Sequence, residues 1–307
     1  MSPWLLINGN ERLHLIGTTY KLGRTVNEDL DISRLVPLKQ KTDLARVTTI
    51  ISGKDGVGKS TIAANLAVAS ANKLRLCTSV LDLDLQYGDQ SLLFRAPGSP
   101  NLLNTLESTN ALDFKNLPKY MHQRQKVWVL PSLPTPEKAE LINPEHVKEL
   151  IKVGREAFDS IVLDVTSYLC DTTLEAIDAS ESVVLVTTER LSSIKDSRKL
   201  LKVLSQLGVE KGQITLVLNR LSEAKVSVED IEKSLDFQVS YTLPYLPSPF
   251  LEAMADGSPY IVKQPRSDYA KQMYSLAALS FGSYEDLAKI SDTTALFQPV
   301  ELSEGNW

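Results

Sequence analysis

From residue 47 to about 279 the chain alternates between short, nearly continuous apolar runs and segments of helical character. The runs are 47–51, 79–85, 127–130, 161–165, 183–187, 214–218 and 241–243. They are rich in Val, Ile and Leu, as suits strands buried on both faces of a parallel sheet. Between them, 60–73, 144–157, 192–207 and 228–235 are the helical candidates. Strands alternating with helices predict an α/β fold, a doubly wound and mostly parallel sheet with helices on both faces.

The two ends read differently. Residues 1–46 offer three short candidate strands, 4–7, 12–16 and 19–22, with Asn8-Gly9-Asn10 as a hairpin turn between the first two. This segment carries seven basic and five acidic residues, net +2, whereas the remainder is −7. A short strand-rich appendage ending near Arg46 is expected, ahead of a main domain over 47–282. In 283–307, Glu285, Asp286, Asp292, Glu301 and Glu304 face only Lys289. A short helix over 283–290 and then a weakly ordered acidic tail is the expectation there.

Composition narrows the class. The chain has 307 residues, 43% hydrophobic and 23% charged, an ordinary globular balance. Two cysteines, Cys77 and Cys170, exclude a disulfide framework and suit a reducing compartment. The net charge of −5 argues against a globally basic nucleic-acid binder. No apolar run approaches the ~18 residues that span a bilayer, and no signal peptide is visible at the N-terminus. A cytoplasmic location is expected. His14, His122 and His146 are scattered and show no metal-ligand spacing.

The strongest chemical signal is Gly53-Lys54-Asp55-Gly56-Val57-Gly58-Lys59-Ser60, which fits G-x-x-x-x-G-K-[ST] and is followed by Thr61. It lies between an apolar strand and a helical run, the context in which the pattern carries meaning. Its glycines let backbone N–H groups turn toward phosphates, and the following helix points its positive end at them. Lys59 is expected on the β- and γ-phosphates and Ser60 on Mg²⁺. Two acidic segments accompany the loop. Val80-Leu81-Asp82-Leu83-Asp84-Leu85 ends a strand in D-x-D, which would put both carboxylates on one face. Ser160-Ile161-Val162-Leu163-Asp164 is an apolar strand ending in an acid, the form of a Walker B site.

Lys54, directly after the first glycine, resembles the deviant P-loop of the ParA/MinD superfamily, K-G-G-x-G-K-[ST]. The resemblance covers about 47–279 and implies ATP and Mg²⁺ as ligands. It implies that Lys54 reaches the partner's nucleotide across a homodimer, that Asp84 orients the attacking water, and that Asp82 and Asp164 support Mg²⁺ with Ser60. Leu216-Val217-Leu218-Asn219-Arg220 resembles the family's adenine-recognition strand end, and Leu243-Pro244-Tyr245 its last loop over the base. Two departures stand out. Asp55 replaces a usual Gly, and Asp164-Val165-Thr166-Ser167-Tyr168 replaces D-x-P-A/P-G.

Asp82-Leu83-Asp84-Leu85-Gln86-Tyr87-Gly88-Asp89 and Val129-Leu130-Pro131-Ser132-Leu133-Pro134 are most similar to the CpaE/TadZ branch, which positions pilus or secretion machinery. That implies an ATP-dependent dimerisation switch with slow hydrolysis and a protein partner. A DNA-partition ATPase or a cell-division or flagellar positioning ATPase is the alternative within the class. A nucleotide-binding scaffold without turnover is the alternative outside it. An iron–sulfur reductase is disfavoured, both cysteines reading as small buried apolar residues. Lys195, Arg198, Lys199 and Lys202 share one helical face, a solvated face or a docking face for a protein ahead of DNA. The acidic C-terminal tail argues against intrinsic membrane binding.

Overall fold

The computed structural model describes residues 7–8, 12–15, 18–21, 44–107, 112–223 and 226–282. Ahead of the main body, β1 (Ile7–Asn8), β2 (Arg12–Leu15) and β3 (Thr18–Lys21) form an antiparallel three-stranded sheet. The helix and tail expected over 283–307 lie outside the described residues.

The main sheet has eight strands: β4 (Arg46–Ile51), β5 (Thr78–Leu83), β6 (His122–Arg124), β7 (Val127–Leu130), β8 (Ser160–Val165), β9 (Ser182–Thr187), β10 (Ile214–Asn219) and β11 (Tyr241–Leu243). Their order across the sheet is β11-β10-β9-β4-β8-β5-β7-β6. All pairings are parallel except β6 with β7. That hairpin closes through Gln125 and Lys126, both at positive φ, as tight hairpin turns require. The apolar runs become strands because helices cover both faces. Every residue of β5, β7, β8 and β9 is buried. Some polar positions inside the sheet are paired: the Thr49 hydroxyl donates to the Ala176 carbonyl at 3.0 Å and meets Ser180 at 2.7 Å.

One face is covered by α1 (Lys59–Ala69), α8 (Pro247–Ala255), α9 (Tyr260–Lys263) and α10 (Asp268–Phe281). The other carries α4 (Pro144–Ala157), α5 (Asp171–Asp178), α6 (Leu191–Gln206) and α7 (Val228–Leu235). Between β5 and β7 lie the short α2 (Gln90–Leu93) and α3 (Leu102–Leu106). Helix α4 starts at Pro144 behind a capping box, in which the Asn143 side chain accepts from the His146 amide and His146 returns the bond. This gives one of the scattered histidines a structural role. Truncating a fully buried leucine such as Leu163 would cost about 2–5 kcal/mol.

Two expectations need correction, and one helix went unpredicted. The strand predicted over 79–85 ends at Leu83, so Asp84 lies beyond it in the following loop and is not a strand residue. The helix expected over 60–73 gives way after Ala69 to a π turn, Ser70–Leu74. Helix α10 is absent from the apolar pattern because its buried face mixes small and aromatic residues: Ala270, Ala277, Ala278, Tyr269 and Phe281.

Candidate functional site

All parallel strands end on one edge of the sheet, and β8 stands between β4 and β5. The loop after β4 and the acidic ends of β5 and β8 are therefore neighbours. Register makes this specific: Asp164 pairs with Ile50 on one side and with Asp82 on the other. Two carboxylates thus lie side by side on adjacent strands. Both are buried, at 1% exposure for Asp82 and 0% for Asp164.

The glycine-containing loop runs from Ser52 to Gly58 and delivers Lys59 and Ser60 as the first residues of α1. Gly58 adopts φ 94°, and a Cβ there would fall 2.6 Å from Asn219 Nδ2. Glycine is required at this position for conformation and for space. Gly53 is needed for space alone, since a Cβ would meet the Asp196 backbone of α6 at 2.6 Å. Lys54, Asp55 and Gly56 are exposed, Val57 is buried, and Thr61 is half-buried.

Lys59 is 7% exposed, and its ammonium donates to the Ser167 hydroxyl at 2.8 Å and pairs with Asp55 at 3.4 Å. Ser167 donates to Asp55 Oδ1 at 2.6 Å and lies 3.1 Å from the Ser52 hydroxyl. Asp55 and Ser167 are the two departures from the family pattern, and they touch each other. The Ser167 bond and the Lys59 charge hold the Asp55 carboxyl below its ordinary range, against partial burial.

Burial pushes the Asp164 carboxyl up to about 6, despite hydrogen bonds from Gln90 and Ser60 and the charge of Lys59. Asp82 is pushed well above its ordinary value by burial and by the neighbouring Asp164. Oδ1 of each has no hydrogen-bond partner. Two adjacent, half-satisfied, buried carboxylates beside Ser60 are what a hard divalent cation with oxygen ligands needs. The residues present therefore fit Mg²⁺. Asp84 is half-buried at the mouth of this pair, its carbonyl bonded by the Ser132 hydroxyl at 2.7 Å.

On the other side of β4, the register of Asn219 with Leu243 sets Arg220 beside Pro244. Asn219 Nδ2 donates to the Val57 carbonyl at 2.8 Å, tying β10 to the glycine loop. Glu189, at the end of β9, accepts from the Leu221 amide at 3.2 Å and from the Ser222 hydroxyl. These bonds and the nearby Arg220 hold its carboxyl below the ordinary value, although burial opposes this.

Gln90 was missed by sequence reasoning. It is fully buried, and its side-chain amide donates to Asp164 Oδ2 at 2.8 Å and to the Ser60 carbonyl at 3.0 Å. No local pattern marks it, since a lone polar residue after a loop is ordinarily a surface residue. One expectation about cysteine also fails. Cys77 is half-buried and Cys170 is exposed, the latter at the N-cap of α5 with its Sγ 3.3 Å from the Thr172 and Thr173 hydroxyls. Lys195, Arg198, Lys199 and Lys202 are all exposed on α6, two of them paired with Asp196. Among the described residues no helix is long and apolar enough to cross a membrane.

Comparison with known proteins agrees with this geometry. A family profile, ParA, described as NUBPL iron-transfer P-loop NTPase, matches residues 43–279. An uncharacterised ATP-binding protein of Methanocaldococcus jannaschii is 30% identical over 244 residues, which is 79% of this chain and 90% of that one. A ParA family ATPase from Chlorobium tepidum superimposes with a TM-score of 0.70 at 25% identity, covering 76% of this chain and 98% of the other. The septum site-determining protein MinD of Pyrococcus horikoshii, solved with Mg-ADP, gives 0.61 at 25% identity over 76% of this chain and 95% of its own.

Proposed function

Because the chain belongs to the ParA/MinD family of P-loop ATPases, we propose that it is an ATP-operated, Mg²⁺-dependent dimerisation switch with slow hydrolysis. The observation that carries this reading is the convergence of Lys59, Ser60, Asp82 and Asp164 at one edge of the sheet.

Lys59 would neutralise the β- and γ-phosphates, helped by the loop amides from Asp55 to Gly58 and the positive end of α1. Ser60, Asp82 and Asp164 would hold Mg²⁺, each carboxylate through its unpartnered oxygen. When bound, Mg²⁺ withdraws charge from the phosphates and so favours attack by water. Asp84, in the loop just beyond the end of β5, would orient that water. Lys54 is exposed and available to a second copy's nucleotide. Asn219, Arg220 and Pro244 would frame the base.

For the cellular role we favour positioning of a pilus or secretion machine through a protein partner, on the resemblance of 82–89 and 129–134 to the CpaE/TadZ branch. The exposed basic face of α6 supports a docking surface for that partner. DNA partition is disfavoured by the net charge of −5. The experiment is size-exclusion mass measurement with ADP, with ATP, and with Mg²⁺ withheld. A monomer with ADP and a dimer only with ATP and Mg²⁺ is expected, and one mass in all conditions would refute the switch.

A second reading, a nucleotide-binding scaffold without turnover, is favoured by one contact. Asp55 and Ser167 already occupy Lys59, which phosphate must engage. Phosphate release by the parent chain, compared with Asp84→Ala, separates the two readings. Release above the variant's level favours the switch.

A further inference from the structure

Gln90 has no role in the chemistry just outlined, yet the chain buries it completely. A buried amide is costly unless its donors and acceptor are met, and an apolar side chain of similar length would fill the same space. Its bonds account for its presence. Nε2 donates to the Ser60 carbonyl, on α1, and to Asp164 Oδ2, on β8. The Gln90 backbone amide donates to Asp82 Oδ2, on β5, at 2.9 Å. One residue thus joins the three elements that carry the Mg²⁺ candidates.

The consequence is geometric. Each carboxylate has Oδ2 committed to Gln90, which leaves Oδ1 without a partner. Gln90 Oε1 is itself buried and unpartnered. Three buried acceptor oxygens on neighbouring residues, Oδ1 of Asp82, Oδ1 of Asp164 and Oε1 of Gln90, are therefore left without a hydrogen-bond partner. A cation with its bound waters supplies what all three lack. The approach of the loop is equally constrained. A Cβ on Gly88 would fall 2.4 and 2.5 Å from the Asp82 carboxylate oxygens and 2.5 Å from Ser132 Cβ. Only glycine lets the chain fold back over Asp82 and bring Gln90 inside.

We infer that Gln90 is a positioning residue for the divalent cation, holding Asp82 and Asp164 in one orientation and coupling the D-x-D loop to the first turn of α1. This rests on the nucleotide reading above. It separates two quantities that a general loss of structure would move together. Nucleotide affinity without metal depends on the loop 52–58 and the Lys59 ammonium, and the one contact of Gln90 in that region is with the Ser60 main-chain carbonyl. The gain in affinity on adding Mg²⁺ depends on the two carboxylates, which it does.

The test is titration of a fluorescent ADP analogue into the full chain, in EDTA and in Mg²⁺, followed by Mg²⁺ titration at fixed nucleotide. Gln90→Met keeps the volume and the backbone bond to Asp82 and removes the side-chain donors and acceptor. We expect its affinity in EDTA to stay within about twofold of the parent, and its Mg²⁺ midpoint to rise tenfold or more. Gln90→Asn keeps the amide but is one methylene short of its two acceptors. It should show the same metal-selective loss, and it covers the case in which the Met variant does not fold. Equal losses in both arms, or an unchanged Mg²⁺ midpoint in a folded variant, would overturn the assignment. If the parent chain bound no nucleotide in either arm, the nucleotide reading would fall and this one with it.

Discussion

The Asp55 contact has a cost for nucleotide binding. Lys59 must leave Asp55 and Ser167 before it can meet phosphate. Asp55 is 66% exposed, so its ion pair with Lys59 belongs to the weak surface class, ~0.2–1 kcal/mol. The 2.8 Å bond from the Lys59 ammonium to the Ser167 hydroxyl adds about 0.5–1.5 kcal/mol. Together they oppose binding by about 1–2 kcal/mol, roughly 5–30-fold in affinity. Repulsion between the carboxylate and the incoming phosphates acts in the same direction. Asp55→Ala removes the ion pair and leaves the Ser167 bond to Lys59, so it should tighten ADP binding by the ion-pair share, roughly 1.4–5-fold. Asp55→Asn should tighten it by less, since it keeps an acceptor for Ser167 and loses only the charge. Calorimetric titration at two salt concentrations is the assay. The gain should shrink at high salt, because screening acts within ~3 Å at 1 M against ~10 Å at 0.1 M. Unchanged or weaker binding in Asp55→Ala, or a gain indifferent to salt, would refute the reasoning.

Lys59→Ala should abolish nucleotide binding, since the loop loses its buried phosphate partner; unchanged affinity by calorimetry would remove the P-loop assignment. Lys54→Ala should bind nucleotide normally and fail to dimerise with ATP, as read by light scattering. Gly58→Ala puts a side chain at φ 94° and against Asn219, costing about 1–2 kcal/mol in the left-handed region; chemical denaturation measures this, and a shift in the ATP-to-GTP preference reports the displaced Asn219. The pH dependence follows from Asp82 and Asp164, whose carboxyls are raised in the folded state. Between the ordinary carboxyl range and about 6 for Asp164, with Asp82 shifted in the same upward direction, the folded chain binds more protons than the unfolded one, so this contribution to stability falls as pH rises. The metal-free protein should lose melting temperature from pH 5 to pH 8 and Asp82→Asn should flatten that slope, with Mg-ADP giving its larger stabilisation at the higher pH; a parent profile parallel to the variant's would contradict the burial argument.

What was legible in the sequence was whatever depends on local pattern. The strands at 127–130 and 241–243 and the helices at 144–157 and 228–235 have the predicted bounds, because strong apolar periodicity or a Pro and Asn cap defines them. The phosphate loop was readable because glycine, lysine and serine at fixed spacing serve one backbone geometry. Asp84 was misplaced because D-x-D alternation is the same whether the strand ends before or after its second acid. Gln90 was invisible because its importance lies in partners on two other elements, Ser60 and Asp164. Its own neighbours in sequence give no periodic or charge signal.

The two departures show why residues should be weighed in space and not one at a time. Read along the chain, an acid at 55 looks like a defect beside phosphates, and a serine at 167 looks like the loss of a switch. They lie 112 positions apart, yet they share a hydrogen bond, and both hold the same lysine. An acid at 55 alone would sit by Lys59 with only a weak, screened attraction. A serine at 167 alone would leave the ammonium with a single neutral acceptor. Together they give a mostly buried cation a charged partner and a hydroxyl in the absence of nucleotide, which lowers the cost of burying it. The same pairing makes each residue's effect on binding depend on the other. Asp55→Ala and Ser167→Ala should therefore be non-additive in a double-mutant cycle on ADP affinity, with a coupling of about 0.5 kcal/mol or more. Strict additivity would mean that the two departures are independent and that the contact between them contributes nothing.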